Sequence, residues 1–128
     1  MTHMEKVRVL RARTDVHFNC CQAVLVTFAG EMGLTEEQAF RLGSGFGSGM
    51  RCGCVCGTLT GALMVLGAAG CPLEQSTALF RQFRQAHGDV NCAVLLKNSS
   101  DQGIERKTHC DGLVFEVVEA LDKILSER

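Results

Sequence analysis

Residues 49–67 read GMRCGCVCGTLTGALMVLG, with Cys52, Cys54 and Cys56 at every second position ahead of an apolar run. A thiolate is a nucleophile and a soft metal ligand, and two thiols can pass electrons by closing a disulfide. Cys-x-Cys-x-Cys is a weak zinc pattern, because structural zinc ligands usually stand two to four residues apart. No Cys-x-x-Cys occurs among the eight cysteines. That excludes both a thioredoxin-type active site and a c-type haem attachment site. A nucleophile elbow, a P-loop and a dinucleotide fingerprint are also missing, and the glycine-rich GSGFGSG follows no strand.

Four other settings point to chemistry. Cys20 follows Asn19, Cys92 follows Asn91, Cys110 comes two after Thr108, and Cys56 follows the glycine-rich loop. Each is expected in the first turn of a helix, Cys20 through a capping box Asn19-Cys20-Cys21-Gln22. Unpaired first-turn amides and the positive end of the helix dipole stabilise a thiolate there. The expectation is that the four converge on one electropositive pocket, with Cys56 as the working thiol. Cys52 and Cys54, in flexible glycine-rich backbone, are read as auxiliary. Cys21 points about 100° away from Cys20 on a helix and reads as a bystander. Cys71 reads as a small buried hydrophobe. His17 and His109 are within reach of ligation, although solvent exposure is the simpler reading for each.

These residues need elements to hold them, and the periodicity is helical almost throughout. Val16, Cys20, Ala23, Val24, Thr27 and Phe28 form a stripe that ends near Gly30 to Gly33. Thr35 to Gln38 fits a capping box for a short helix through Leu42. Nine of the fourteen glycines fall between Gly43 and Gly70, which marks a tightly bending loop. A central helix from about Cys56 to Ala69 is apolar on every side. Pro72 opens a helix with Leu79, Phe80, Phe83 and Ala86 inward. Cys92 to Lys97 is a short helix, 98–103 a polar loop, and Thr108 caps a last helix with Cys110, Val114, Val117, Leu121 and Ile124 on one stripe. The fold class expected is all-α: one domain over 1–128, a bundle of five to six helices, with 1–14 a flexible or peripheral segment. Gly57 and Gly61 allow a close helix approach within the chain or across a homodimer.

Composition narrows the field. The chain is 46% hydrophobic and 21% charged with a formal net charge of −1, and it has neither Tyr nor Trp. Without a basic stripe or a stacking platform, nucleic acid is not an expected partner. From Gly53 to Leu73 no charge occurs, which is long enough to span a bilayer. Its thiols, threonines, glycines and proline argue for a buried core helix instead. The opening MTHMEKVRVLRART does not read as a secretory signal. A cytoplasmic setting follows, where clustered cysteines more often bind metal or do redox work than form structural disulfides.

In order and spacing, NCCQAVLVTF, GSGFGSGM, CGTLTGALMVLG, VNCAVLL and a cysteine opening the last helix resemble the redox-active family named for its pattern C-GCAxxG-C-C. The resemblance runs from about Asn19 to Leu125. It implies that Cys20, Cys56, Cys92 and Cys110 are the family's cysteines, with Thr58 where the family favours alanine. It also implies redox or iron–sulfur chemistry. Three functions stay open. One is an iron–sulfur cluster on the four thiols, for electron transfer or as an accessory to a partner oxidoreductase. The others are a metal-free thiol–disulfide redox protein or sensor, and a structural zinc or interaction module.

Overall fold

Paired caps set the first helix starts. Thr2 and Glu5 form a capping box that opens α1 (His3–Ala12), Asn19 and Gln22 one that opens α2 (Cys20–Thr27), and Thr35 and Gln38 one that opens α3 (Glu36–Gly43). In each, the cap side chain accepts a first-turn N–H and the third helical residue accepts the cap's own N–H, so two unpaired donors are satisfied. The computed structural model describes residues 1–128. After α3 come a wide turn at Gly49–Gly53, α4 (Gly57–Ala68), α5 (Leu73–His87), α6 (Cys92–Asp101) and α7 (Arg106–Ser126). Helices cover 71% of the chain and there is no strand.

The all-α reading holds, but the structure has eight helical elements against the five to six expected. The additions are the wide turn at Gly49–Gly53 and α1, in the stretch read as flexible or peripheral. Helix α1 packs on the core. Its Val7 is fully buried and Leu10 nearly so, and Arg8 lies over the Phe115 ring of α7 at 4.3 Å. Val16 precedes α2, because the Asn19 cap starts that helix at Cys20. Polar residues 98–101 continue α6, helped by the Lys97–Asp101 pair one turn apart. Helix α7 starts at Arg106 with Glu105 at its cap, not at Thr108. Ala86 is exposed, while Leu79 and Phe83 carry the inward face of α5.

The core gathers round α4. Leu59, Ala62, Val65 and Leu66 are fully buried there, against α2 with Val24 and Leu25 and α7 with Val114, Val118 and Leu121. Each such Leu or Val contributes about 1.5–3 kcal/mol by leaving water. The close approach expected of Gly57 and Gly61 is made to α2 of the same chain. A Cβ on Gly61 would lie 3.3 Å from both the Cys21 carbonyl oxygen and Val24 Cβ. No helix is long and apolar enough to cross a membrane.

Candidate functional site

The four patterned cysteines arrive on four different helices. Cys20 is the first residue of α2 and Cys92 the first of α6. Cys56 is one step further out than expected, at the cap position of α4, and its side chain caps nothing. Cys110 lies in the second turn of α7, because that helix begins early. A single antiparallel bridge between Val55 and Asn91 fastens two of the segments together. The Cys56 N–H donates to the Val90 carbonyl at 2.8 Å, and the Cys92 N–H donates to the Cys54 carbonyl at 2.7 Å.

All four line one cavity of about 420 Å³. Asn19 holds its edge: its Oδ1 accepts the Gln22 N–H at 2.7 Å and its Nδ2 donates to the Gly43 carbonyl at 3.1 Å. Basic groups surround the opening. Arg11 is fixed there by Asp111 and by the Phe18 carbonyl, both at 2.7 Å. Arg106 reaches the Ser48 hydroxyl at 3.0 Å, tying the start of α7 to the glycine-rich loop. His17 and His109 also line the cavity, His17 exposed and His109 half-buried. Burial, and then the charge of His87, holds His109 below the usual histidine value.

Cys20 and Cys56 are neighbours with opposite tendencies. The Cys56 thiol, acting as donor, pulls Cys20 down to about 6 against the effect of burial; Thr58, the Arg11 charge and the Cys21 amide add to this. Cys56 is pushed up, first by that same interaction with Cys20 and then by burial. The site therefore favours charge on Cys20 and a retained proton on Cys56, the thiol expected to do the work. Position explains it. A cap residue precedes the helical amides, whereas the Cys20 sulfur lies beside Gly57, where an added Cβ would stand 2.7 Å from it. Cys20 thus faces the N-terminal end of α4 while starting α2 itself, and both ends favour an anion.

Burial raises Cys92 and Cys110, with the Cys20 charge adding to it in each. Cys21 is fully buried in the core and pushed up to about 12 by burial, with Cys20 adding. Cys52 and Cys54 are exposed and do not line the cavity, and Cys71 is half-buried at the end of α4. No three His, Cys, Asp or Glu side chains come close enough together to hold a metal ion.

Sequence reasoning missed Arg11, which lies on the unpredicted α1, and gave Thr58 no role. The Thr58 hydroxyl is fully buried, faces the cavity and makes no hydrogen bond. A hydroxyl in the first turn, next to a cap cysteine, was its signal.

A family model described as "Putative redox-active protein (C_GCAxxG_C_C)" matches residues 18–124. No curated protein and no solved structure matches the chain.

Proposed function

The chain belongs to the C_GCAxxG_C_C redox-active family, and on that premise we propose that it works by thiol–disulfide exchange, with Cys20 as nucleophile and Cys56 as its resolving partner. The observation that carries this is that Cys20 and Cys56 adjoin on one cavity that Arg11, Arg13, Arg106 and Lys107 also line; the pull downward on Cys20 and upward on Cys56 agrees with it. The Cys20 thiolate attacks one sulfur of a disulfide R–S–S–R. A mixed disulfide forms, and one R–S⁻ leaves with the proton that Cys56 gives up. The Cys56 thiolate then attacks the Cys20 sulfur, expelling the second R–S⁻, which takes a proton from water. The protein dithiol is oxidised to a Cys20–Cys56 disulfide, and R–S–S–R is reduced to two thiols. Cys92 and Cys110, on the same cavity, are a second pair of thiols within electrostatic reach of Cys20.

A second reading rests on a different observation, four thiols from four helices facing one cavity. Four thiolates are the usual ligand set of an iron–sulfur cluster, and Cys20, Cys56, Cys92 and Cys110 would hold it. Such a group supplies one-electron chemistry when bound. A single zinc ion fits the arrangement less well, because no three ligands are gathered at one point.

Anaerobic purification with an absorption spectrum and iron, sulfide and zinc analysis separates the readings. Metal-free protein that reduces a small disulfide supports exchange. In that case Cys20→Ser abolishes the reaction, and Cys56→Ser stops at a trapped mixed disulfide on Cys20. Stoichiometric iron and sulfide, lost equally in all four single Cys→Ser variants, would overturn exchange in favour of the cluster.

A further inference from the structure

Cys52 and Cys54 lie outside the cavity, exposed, with their sulfurs 3.1 Å apart. In an extended segment, residues two apart share a face but stand about 6.5 Å from each other. Gly53 removes that gap. At φ +75° it folds the segment back, a conformation that costs glycine little. A side chain there would also meet Ala93 Cβ at 2.9 Å.

The backbone leading into the pair is strained. Ser48, Gly49, Met50 and Arg51 all have positive φ, from 52° to 63°, and three of them carry a Cβ. Each such residue costs about 1–2 kcal/mol, so the surroundings must hold the turn. They do so through the Cys54 N–H donating to the Gly49 carbonyl at 2.9 Å, the Cys92 N–H donating to the Cys54 carbonyl, and Arg106 on Ser48. Strain kept in place by several independent bonds is a mark of functional segments. Here it presents two thiols to solvent.

We propose that Cys52 and Cys54 form a second, solvent-facing redox pair that closes by exchange with low-molecular-weight disulfides. The sulfurs need to approach by only about 1 Å to reach bonding distance. One thiolate attacks the small disulfide R–S–S–R and releases R–S⁻. The other then attacks the mixed disulfide and releases the second R–S⁻. The pair is oxidised to a disulfide, and R–S–S–R leaves as two thiols once protons are counted. A disulfide closed over one intervening residue and open to solvent is of the labile, readily reduced kind. This proposal does not depend on the chemistry of Cys20 and Cys56.

The test equilibrates the reduced full-length chain with graded ratios of oxidised to reduced glutathione. After acid quenching, the thiols are alkylated and each cysteine is scored by peptide mass spectrometry. Cys52 and Cys54 are expected to lose alkylation together, at one ratio and with no glutathione attached. In Cys52→Ser, Cys54 is then expected to accumulate as a glutathione mixed disulfide. Cys20 and Cys56 are scored separately in the same digest, so their failure to oxidise leaves the outer-pair result intact. Native protein carrying glutathione on both Cys52 and Cys54, keeping both alkylated at every ratio, or joining either one to Cys56 would overturn the proposal.

Discussion

Gly57 leaves no room for a side chain against Cys20: a Cβ there would lie 2.7 Å from the Cys20 sulfur and 2.5 Å from the Phe46 carbonyl oxygen. The glycine lets the start of α4 close on the Cys20 sulfur, and backbone on one side of it cannot give way cheaply. Gly57→Ala should therefore cost about 1–3 kcal/mol, the range for overpacking a tight site. A urea titration checks the stability. Iodoacetamide labelling checks whether Cys20, pushed from the α4 terminus, becomes slower to react at neutral pH. Gly67→Ala, whose Cβ would meet nothing within 4 Å, is the control and should not destabilise.

The pH dependence follows from Cys20 being pulled down to about 6 by Cys56. Its labelling rate should rise through about pH 6, where an ordinary thiol near 8.5 is still protonated. The stability sign is also fixed. Between about pH 6 and the unfolded thiol value, the unfolded chain holds a proton that folded Cys20 has lost, so stability rises with pH. That gain is lost as pH falls through about 6. Above the unfolded value the slope reverses, because Cys21, Cys56, Cys92 and Cys110 are all raised. Urea midpoints under reductant at several pH values, for native protein and Cys20→Ser, read this directly; the variant should lose the rise between about pH 6.5 and 8.5, while the rise at lower pH, to which the lowered His109 contributes, remains.

What was legible in the sequence was what is local. The boxes at Asn19–Gln22 and Thr35–Gln38 involve residues three apart and were readable without knowledge of the fold. The box at Thr2–Glu5 was equally local, but only Val7 and Leu10 of α1 are buried, too sparse a stripe to stand out among charges. The start of α7 was misplaced because Thr108 offers better cap chemistry than Glu105, although the helix begins after Glu105 without any side-chain cap bond. What could not be read is what crosses the chain. The bridge that joins Cys56 to Cys92 relies on carbonyls of Val90 and Cys54, which any residue supplies. Which of Cys20 and Cys56 carries the charge depends on where α1 and α4 pack.

Arg11 should matter more than its place near the N-terminus suggests. Its side chain is only 9% exposed and holds both Asp111 and the Phe18 carbonyl. Arg11→Met keeps the packing of the stem but leaves these acceptors short of a charged donor. The expected loss is about 1.5–3 kcal/mol, the scale for hydrogen bonds to charged groups, read as a lower urea midpoint. Arg11 also helps lower Cys20, so the labelling curve of Cys20 should move to higher pH. Arg41, paired with Glu37 in full solvent, is the contrast; Arg41→Met should change stability by less than about 0.5 kcal/mol.

Thr58 separates stability from reactivity. Its hydroxyl is fully buried without a partner, which by itself costs stability, yet it helps hold Cys20 in its charged form. Thr58→Val keeps the shape and removes the polar atom. At about pH 5, where Cys20 is mostly protonated in both proteins, folding should be unchanged or slightly stabilised, since no buried donor is left idle. Without the hydroxyl beside it the thiolate is less favoured, so Cys20 should move up toward the ordinary thiol value. Labelling of Cys20 at pH 7 should then slow by about twofold to tenfold, with the deficit closing again above pH 9. Thr58→Ser, which retains the hydroxyl, should keep the native labelling curve. A Val variant that labels Cys20 at the native rate would mean that the hydroxyl only fills space and that Cys56 and the helix ends suffice.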